Sequence, residues 1–402
     1  MVLKQKCLFT ECEQDIGEML HLQQHSDLLG AMTPPPSPVR LGIAGCGNVV
    51  GAYLTLAERL HRDGKASVMA IHGAERHRQR AQLEWHIPIF YADYGDMLAS
   101  ADLDAVLILT PMATHASMAM AALKAGKHVL VEKPMATNLA EAHALVATAR
   151  AARRHLLCAP FTILSPTFQI ISYRLRKGDI GQLVSARGRY GWAGPDWADW
   201  FYKPGGGALF DLGVYNLSTL TGWLGPVRRV IAMAGAAIPE RIVNGRTVRV
   251  EADDNAQVLL DFGNNRFATI TAGFTIQQYR GPGIELFGTA GTINLLGDDW
   301  DPDGYELWQN SAGCWQLFKE SQPDWPWTDG LRHLVECIRE GTKLLVTPEH
   351  SLHLLEVMLA ALASSKEGKA KVIESTFEMP VFEDGGPSVA AHRVHDRTRG
   401  TE

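Results

Sequence analysis

A short apolar strand that runs straight into a glycine turn and then a helix constrains this chain more than any other feature. Val39-Arg40-Leu41-Gly42-Ile43-Ala44 reads as a buried strand. Gly45-Cys46-Gly47-Asn48-Val49-Val50-Gly51 is the turn, and Leu54, Ala57 and Leu60 follow at helical spacing. In that context the first glycine permits the tight turn. The second lets the backbone approach a pyrophosphate seated on the helix N-terminus. The third glycine of the usual pattern is displaced by one place, to Gly51, with Val50 in its slot.

The alternation continues: Ser67–Ile71 and the wholly apolar Ala105–Leu109 read as strands, as does His128–Glu132. Helices follow each of them, and Asn138 with Glu141 stands in capping-box positions before one to about Arg153. Strands alternating with helices imply a doubly wound parallel sheet, a Rossmann fold, and ligands bind such sheets at the carboxyl ends of the strands. Two loops sit there, Thr110-Pro111-Met112-Ala113-Thr114-His115 and Glu132-Lys133-Pro134. The cofactor contacts expected are therefore Gly45, Cys46, Gly47, Asn48, Val49, Gly73, Arg76, Thr110, Pro111, His115, Glu132, Lys133 and Pro134.

With 402 residues the chain exceeds what one core usually serves. We divide it into an N-terminal extension (1–37, expected to be mobile), a dinucleotide-binding domain (38–158), a substrate and oligomerisation domain (159–380) and a polar tail (381–402). The last helix is expected to pack back on the first domain. Pro34-Pro35-Pro36 stiffens the end of the extension, and Met32 stands just ahead of it as an alternative start. Lys and Arg number 38 against 44 acidic residues, for a net charge of -6, without the basic face of a nucleic-acid binder. Six cysteines form no CxxC pair and no metal-ligand spacing, which reads as reduced thiols in the cytoplasm, with no metal site. There is no apolar run of membrane-spanning length.

Taken in order, GIAGCGN (42–48), TPMATH (110–115), AGKHVLVEKP (125–134), GDIG (178–181), GGGALFDLG (205–213) and Pro348-Glu349-His350 before a long helix resemble the Gfo/Idh/MocA oxidoreductases over residues 38–380. The resemblance implies a C-terminal α/β domain built on a large, mostly antiparallel open sheet, often the oligomer interface. Leu183–Arg189, Arg229–Ala236, Val258–Phe262, Phe267–Phe274 and Gly283–Phe287 read as its strands. It also implies a nicotinamide-dependent dehydrogenase or reductase acting on the carbinol carbon of a sugar, polyol or related compound. Lys133 would supply positive charge at the substrate hydroxyl, and Asp211 would orient substrate.

Where the family usually has histidine, this chain has Tyr215, as a tyrosine-bearing subgroup does. It stands four positions after Asp211, so a helix would project both from one face. Tyr215 is the acid/base candidate. A phenol ionises at about 10, and a neighbouring Lys133 ammonium would lower that value. Trp197 and Trp200 are expected to form a substrate wall with Lys133, Asp211 and Tyr215. A second aromatic group, Trp300, Tyr305, Trp308, Trp315, Trp325 and Trp327, is expected in core, interface or lid packing.

At the end of the second strand Gly73 stands where an NAD-binding acid is expected. Arg76, His77 and Arg78 follow, which favours NADP over NAD, as does the likeness to tyrosine-bearing NADP users. No arginine stands between Pro160 and Pro166, where the family often has one. Two other readings stay open. One is a nicotinamide-assisted enzyme that cleaves or eliminates glycosides with no net redox. The other is a non-catalytic dinucleotide-binding regulator.

Overall fold

The computed structural model describes residues 37–382; nearly all of the proposed N-terminal extension and polar tail lie outside them. A six-stranded, wholly parallel sheet comes first, in the order β3-β2-β1-β4-β5-β6. Its strands are β1 (Val39–Ala44), β2 (Ala66–His72), β3 (Ile89–Tyr91), β4 (Ala105–Ile108), β5 (His128–Val131) and β6 (Leu156–Cys158). Helices α1 (Val50–Arg62), α2 (Arg78–Leu83), α3 (Tyr94–Ser100), α4 (His115–Lys124) and α5 (Leu139–Ala152) link them. The strand order reverses between β1 and β4, which opens a crevice above their carboxyl ends. The Asn138 side chain accepts from the Glu141 backbone at 2.9 Å, capping α5 as its sequence suggests.

A mixed nine-stranded sheet makes up most of the remainder, in the order β16-β15-β14-β13-β7-β12-β11-β8-β17. Its members are β7 (Leu183–Gly191), β8 (Arg229–Gly235), β11 (Asn255–Asp261), β12 (Phe267–Gly273), β13 (Ile284–Gly288), β14 (Gly291–Asp298), β15 (Asp301–Gln309), β16 (Trp315–Lys319) and β17 (Lys371–Val372). Every pairing is antiparallel except β7 with β12. β9 (Glu240–Val243) and β10 (Arg246–Arg249) form a separate hairpin. The remaining helices are α6 (Pro166–Lys177), α7 (Val214–Leu224), α8 (Gly330–Glu340) and α9 (Pro348–Glu367).

Burial alternates along β8, β11 and β12, as period-two strands with one covered face require. Val230, Ala232, Val258, Leu260, Ala268 and Ile270 point into the core, while Ile231, Met233, Leu259 and Phe267 point outward. Both C-terminal helices return to the first sheet's helical layer. Lys65, just after α1, pairs with Glu336 of α8 at 3.1 Å, and Arg150 of α5 pairs with Glu349 of α9 at 2.8 Å.

Candidate active site

The turn after β1 is built as its glycines suggest. Gly45 has φ +112°, and a Cβ there would lie 2.5 Å from the Leu109 carbonyl oxygen at the end of β4. Only glycine fits both conditions. Gly47 has open space where its Cβ would be, leaving room for a close phosphate approach. Asn48 is exposed and Val49 half-buried at the start of α1. Val50 is buried against the sheet, whereas Gly51 faces open space. Gly51 therefore does not serve as the close-packing third glycine.

At the end of β2, Gly73 is buried beneath Cys46. A Cβ at Gly73 would come within 2.4 Å of the Cys46 sulfur, so an acidic side chain fits there only if Cys46 moves. Glu75, two places on, is held by Arg78, whose Nη2 donates to Glu75 Oε2 at 3.0 Å. Arg78 also lies over the Phe90 ring, 4.5 Å from its centroid. Arg76 is exposed and makes no ion pair or hydrogen bond within the described residues. Its charge reaches Cys46, together with that of Arg80, and opposes the burial that pushes the thiol up.

His115 and Pro134 tie the two switch-point loops together. The His115 ring is 1% exposed, with Nδ1 2.8 Å from the Pro134 oxygen and Nε2 2.7 Å from the Thr110 oxygen. It braces the loops from below instead of facing the crevice. The Thr114 hydroxyl donates to that of Thr110 at 2.8 Å, and Pro111 is exposed beside them. Glu132 is buried and accepts from the Tyr53 hydroxyl at 2.7 Å, which fixes the chain just ahead of Lys133. Tyr53 in turn meets the edge of Trp327 at 5.7 Å, so the segment before α8 covers this side of the site.

Three of the expected residues converge. Lys133 Nζ donates to Asp211 Oδ1 at 2.6 Å and to the Asp211 carbonyl at 2.9 Å. It also lies 5.2 Å from the centroid of the Tyr215 ring. Asp211 stands in a π-helical turn, Leu209–Gly213, that continues directly into α7, which carries Tyr215. Such turns recur at functional sites because the extra residue re-aims a side chain. The turn is anchored by Asp253, whose carboxylate accepts from the Leu209 N–H at 2.9 Å.

The Tyr215 phenol departs from expectation. It is pushed well above the ordinary phenol range, first by burial and then by the carboxylates of Glu132 and Asp211, with Asp299 adding to them when ionised. The expected lowering by Lys133 does not arise, because that ammonium is engaged by Asp211. In the resting site Tyr215 is a neutral hydroxyl that holds its proton firmly.

The aromatic residues sort differently from the sequence expectation. Trp300 leaves its group and joins the site, 6.3 Å from the Tyr215 ring and 6.3 Å from that of Tyr190. Tyr190 meets the edge of Tyr215 at 5.9 Å. Beyond Tyr190 lies a recess of about 450 Å³ lined by Trp192, Gln278, Tyr279 and Asp298. Trp197 is 46% exposed, stacks on Trp192 at 5.5 Å and lines a second recess of about 520 Å³ against the β9–β10 hairpin. Trp200 stacks on Phe201 at 3.6 Å outside the lining of that recess. Tyr190 and Trp300 were legible only as aromatic residues. Their place beside Tyr215 comes from strand register and a turn that no local pattern announces.

A parallel sheet whose phosphate-ready turn and loop lysine meet a carboxylate and a phenol at the start of α7 defines a dinucleotide-dependent oxidoreductase. Residues 39–159 match the oxidoreductase family with an NAD-binding Rossmann fold, and 168–294 match the GFO/IDH/MocA C-terminal domain. The chain belongs to the Gfo/Idh/MocA oxidoreductases. It is 28% identical over 316 residues to trans-1,2-dihydrobenzene-1,2-diol dehydrogenase of Macaca fascicularis, covering 76% of this chain and 90% of that one. The Homo sapiens enzyme of the same name is also 28% identical, over 320 residues and with the same coverage. In fold the chain is similar to an NAD-binding oxidoreductase from Klebsiella pneumoniae, with a TM-score of 0.76 at 23% identity over 84% of this chain and 100% of the other. It is also similar to levoglucosan dehydrogenase solved with NADH and levoglucosan, with a TM-score of 0.75 at 20% identity over 84% and 100%. Among the described residues no helix is long and apolar enough to cross a membrane.

Proposed function

We propose that this chain reversibly transfers hydride between a nicotinamide dinucleotide, preferentially NADP, and a ring carbinol of a vicinal diol, sugar or polyol. The observation that carries the reading is the convergence of Lys133, Asp211 and Tyr215 beside the crevice of the first sheet. When bound, the nicotinamide ring supplies the hydride acceptor or donor.

The chain's own residues do the rest. Tyr215, kept protonated by its surroundings, gives its proton to the oxygen of a carbonyl substrate and takes it back in the oxidative direction. Lys133 offsets the negative charge that gathers on that oxygen and on the phenol. Asp211 holds the ammonium in place, and Tyr53, through Glu132, holds the backbone that presents it. A ring substrate packs its C–H face on Tyr190 and Trp192, with Gln278 and the Tyr279–Asp298 pair as polar partners. Trp197 extends that wall outward. The named relatives act on a cyclic vicinal diol, and one structural neighbour holds a sugar anhydride, which supports a cyclic substrate.

Preference for NADP rests on Gly73, Glu75 and Arg76. The acidic slot is closed by Cys46, Glu75 is neutralised by Arg78, and Arg76 stands free to meet a 2′-phosphate. The proposal keeps the division into a dinucleotide half, 38–158, and a substrate half, 159–380. It also includes a homo-oligomer formed through the outward face of the nine-stranded sheet, where Ile231, Met233, Leu259 and Phe267 are exposed. The buried free thiols Cys46, Cys158 and Cys337 support the cytoplasmic placement.

The test is to incubate the full chain with NADP or NAD and a panel of cyclic diols and sugars while following the reduced cofactor by absorbance. Formation of NADPH with at least one cyclic carbinol is expected. Absence of turnover with every pair rejects the reading, and glycoside cleavage without net cofactor reduction would replace it with transient oxidation.

A further inference from the structure

Asp299 lies in the connection between β14 and β15 and is 2% exposed. One of its oxygens, Oδ2, accepts from Asn216 Nδ2 at 3.1 Å and from the Thr219 hydroxyl at 2.9 Å. Both donors belong to α7, on the turns that follow Tyr215. Asp299 Oδ1 is sealed from solvent without a partner, and so is Asn216 Oδ1. The Asn216 side chain occupies space that only a glycine leaves: a Cβ at Gly188 of β7 would lie 2.9 Å from its Cβ.

Two orphaned buried oxygens on groups already joined by a hydrogen bond share a single remedy. A proton on Asp299 Oδ1 gives Asn216 Oδ1 a donor and turns Asp299 Oδ1 into one, closing a ring of two hydrogen bonds between acid and amide. An ionised carboxylate would leave both oxygens unpaired.

The charge environment points the same way. The titratable groups facing Asp299 are Asp298 at the end of β14, Tyr215 on α7 and Tyr279 ahead of β13. Each is an anion when ionised, and within the described residues no cation pairs with Asp299. Burial pushes its carboxyl up to about 7, against the pull of Thr219 and Asn216.

We propose that Asp299 is a positioning residue that works as a neutral carboxylic acid. Ringed with Asn216, it fixes the start of α7 and spares the Tyr215 phenol an additional anionic neighbour. The proposal rests on the reading of Tyr215 as the group that moves the substrate proton. Ionisation of Asp299 breaks the ring and sets a negative charge toward the phenol just as the phenol must give up its proton. Carbonyl reduction should therefore fall roughly tenfold per pH unit once Asp299 ionises, since only the protonated fraction remains competent. Tyr215, held above the ordinary phenol range, does not itself titrate there.

Asp299→Asn reproduces the neutral acid permanently: its carbonyl accepts where Oδ2 did, and its amide donates to Asn216 Oδ1. Infrared difference spectra of the full chain against Asp299→Asn, at mildly acidic pH, should show the carbonyl stretch of one buried carboxylic acid, and alkaline pH should remove it. Asp299→Asn should hold its carbonyl-reduction rate at alkaline pH, where the parent loses it, with nucleotide affinity unchanged. Absence of the carbonyl band, or superposed pH profiles for the two proteins, overturns the proposal. The band without nicotinamide-dependent turnover in either protein would instead sink the hydride-transfer reading and leave the protonated Asp299 standing.

Discussion

Lys133 and Asp211 make a double contact, with Nζ donating to both the side-chain oxygen at 2.6 Å and the main-chain oxygen at 2.9 Å. A loop of the parallel sheet and the π turn ahead of α7 are thereby joined through a single ammonium. Because Asp211 takes up that charge, Tyr215 stays protonated in the resting site. Proton transfer then depends on the phenol itself. Tyr215→Phe should lower turnover by about 10²–10⁴-fold, the usual contribution of a positioned acid/base group. Nucleotide affinity, measured by fluorescence titration, should hardly change, because the proposed reaction gives the hydroxyl a role toward substrate and none toward the nucleotide. A Tyr215→Phe enzyme within a few-fold of the parent would remove Tyr215 from the mechanism.

Asp211→Asn tests the electrostatics without removing the phenol. After burial, Asp211 and Glu132 are the carboxylates that hold the Tyr215 phenol up. Neutralising it lowers the phenol and frees Lys133 to stabilise phenolate, so both effects have the same sign. The oxidative reaction needs phenolate, and the rising limb of its kcat/KM profile should move to lower pH. A limb that stays in place or moves to higher pH would show that another group sets it.

How much of this was legible in advance depended on range. The Gly45 turn, the Asn138 cap and the apolar β4 run could be read because each is specified within a few neighbours. Strand β3, at three residues, is too short for a periodic signal, and the β9–β10 hairpin alternates too weakly to stand out. Lys133, Asp211 and Tyr215 could be listed by resemblance, but the direction of the Tyr215 shift could not. It is set first by burial and then by Glu132, which is distant in sequence and invisible as a neighbour until the sheets are placed. The same holds for Trp300, where the turn between β14 and β15 docks on α7 through Asp299.

Cofactor choice gives a separable prediction. Arg76→Ala should weaken NADP binding by roughly 10–150-fold, the worth of a charge-assisted hydrogen bond of about 1.5–3 kcal/mol. NAD binding should stay nearly constant, because that ligand has no phosphate for the guanidinium. Calorimetric titration with both nucleotides decides it, and equal losses for the two would show that Arg76 supports the fold of the loop instead.

The outward sheet face predicts an assembly. Met233 of β8 is 80% exposed on that face, and Ile231 pairs across the ladder with Leu259. Apolar rows of this kind rarely face water in a stable monomer. Met233→Asp would place a charge in a buried interface and should shift the chain toward monomer in sedimentation velocity. If the parent already sediments as a monomer, the oligomer proposal fails outright.

Acid stability follows from two buried histidines that accept backbone hydrogen bonds. His353 Nε2 accepts the Val227 N–H at 3.0 Å, and His333 Nε2 accepts the Leu345 N–H at 2.9 Å. A second proton on either ring would occupy the accepting nitrogen, and burial lowers both to about 4. The folded value lies below the unfolded one, so the unfolded chain binds protons first as pH falls. The stabilisation is complete above about 6.5 and drains as pH drops from there toward about 4. In that window each ring contributes a loss of up to about 1.4 kcal/mol per pH unit. His353→Gln supplies an oxygen for the Val227 N–H that does not titrate. Urea unfolding of this variant across the window should show a pH slope shallower by close to one proton. An unchanged slope would mean that His353 binds its proton equally in the folded and unfolded states and carries no part of the acid sensitivity.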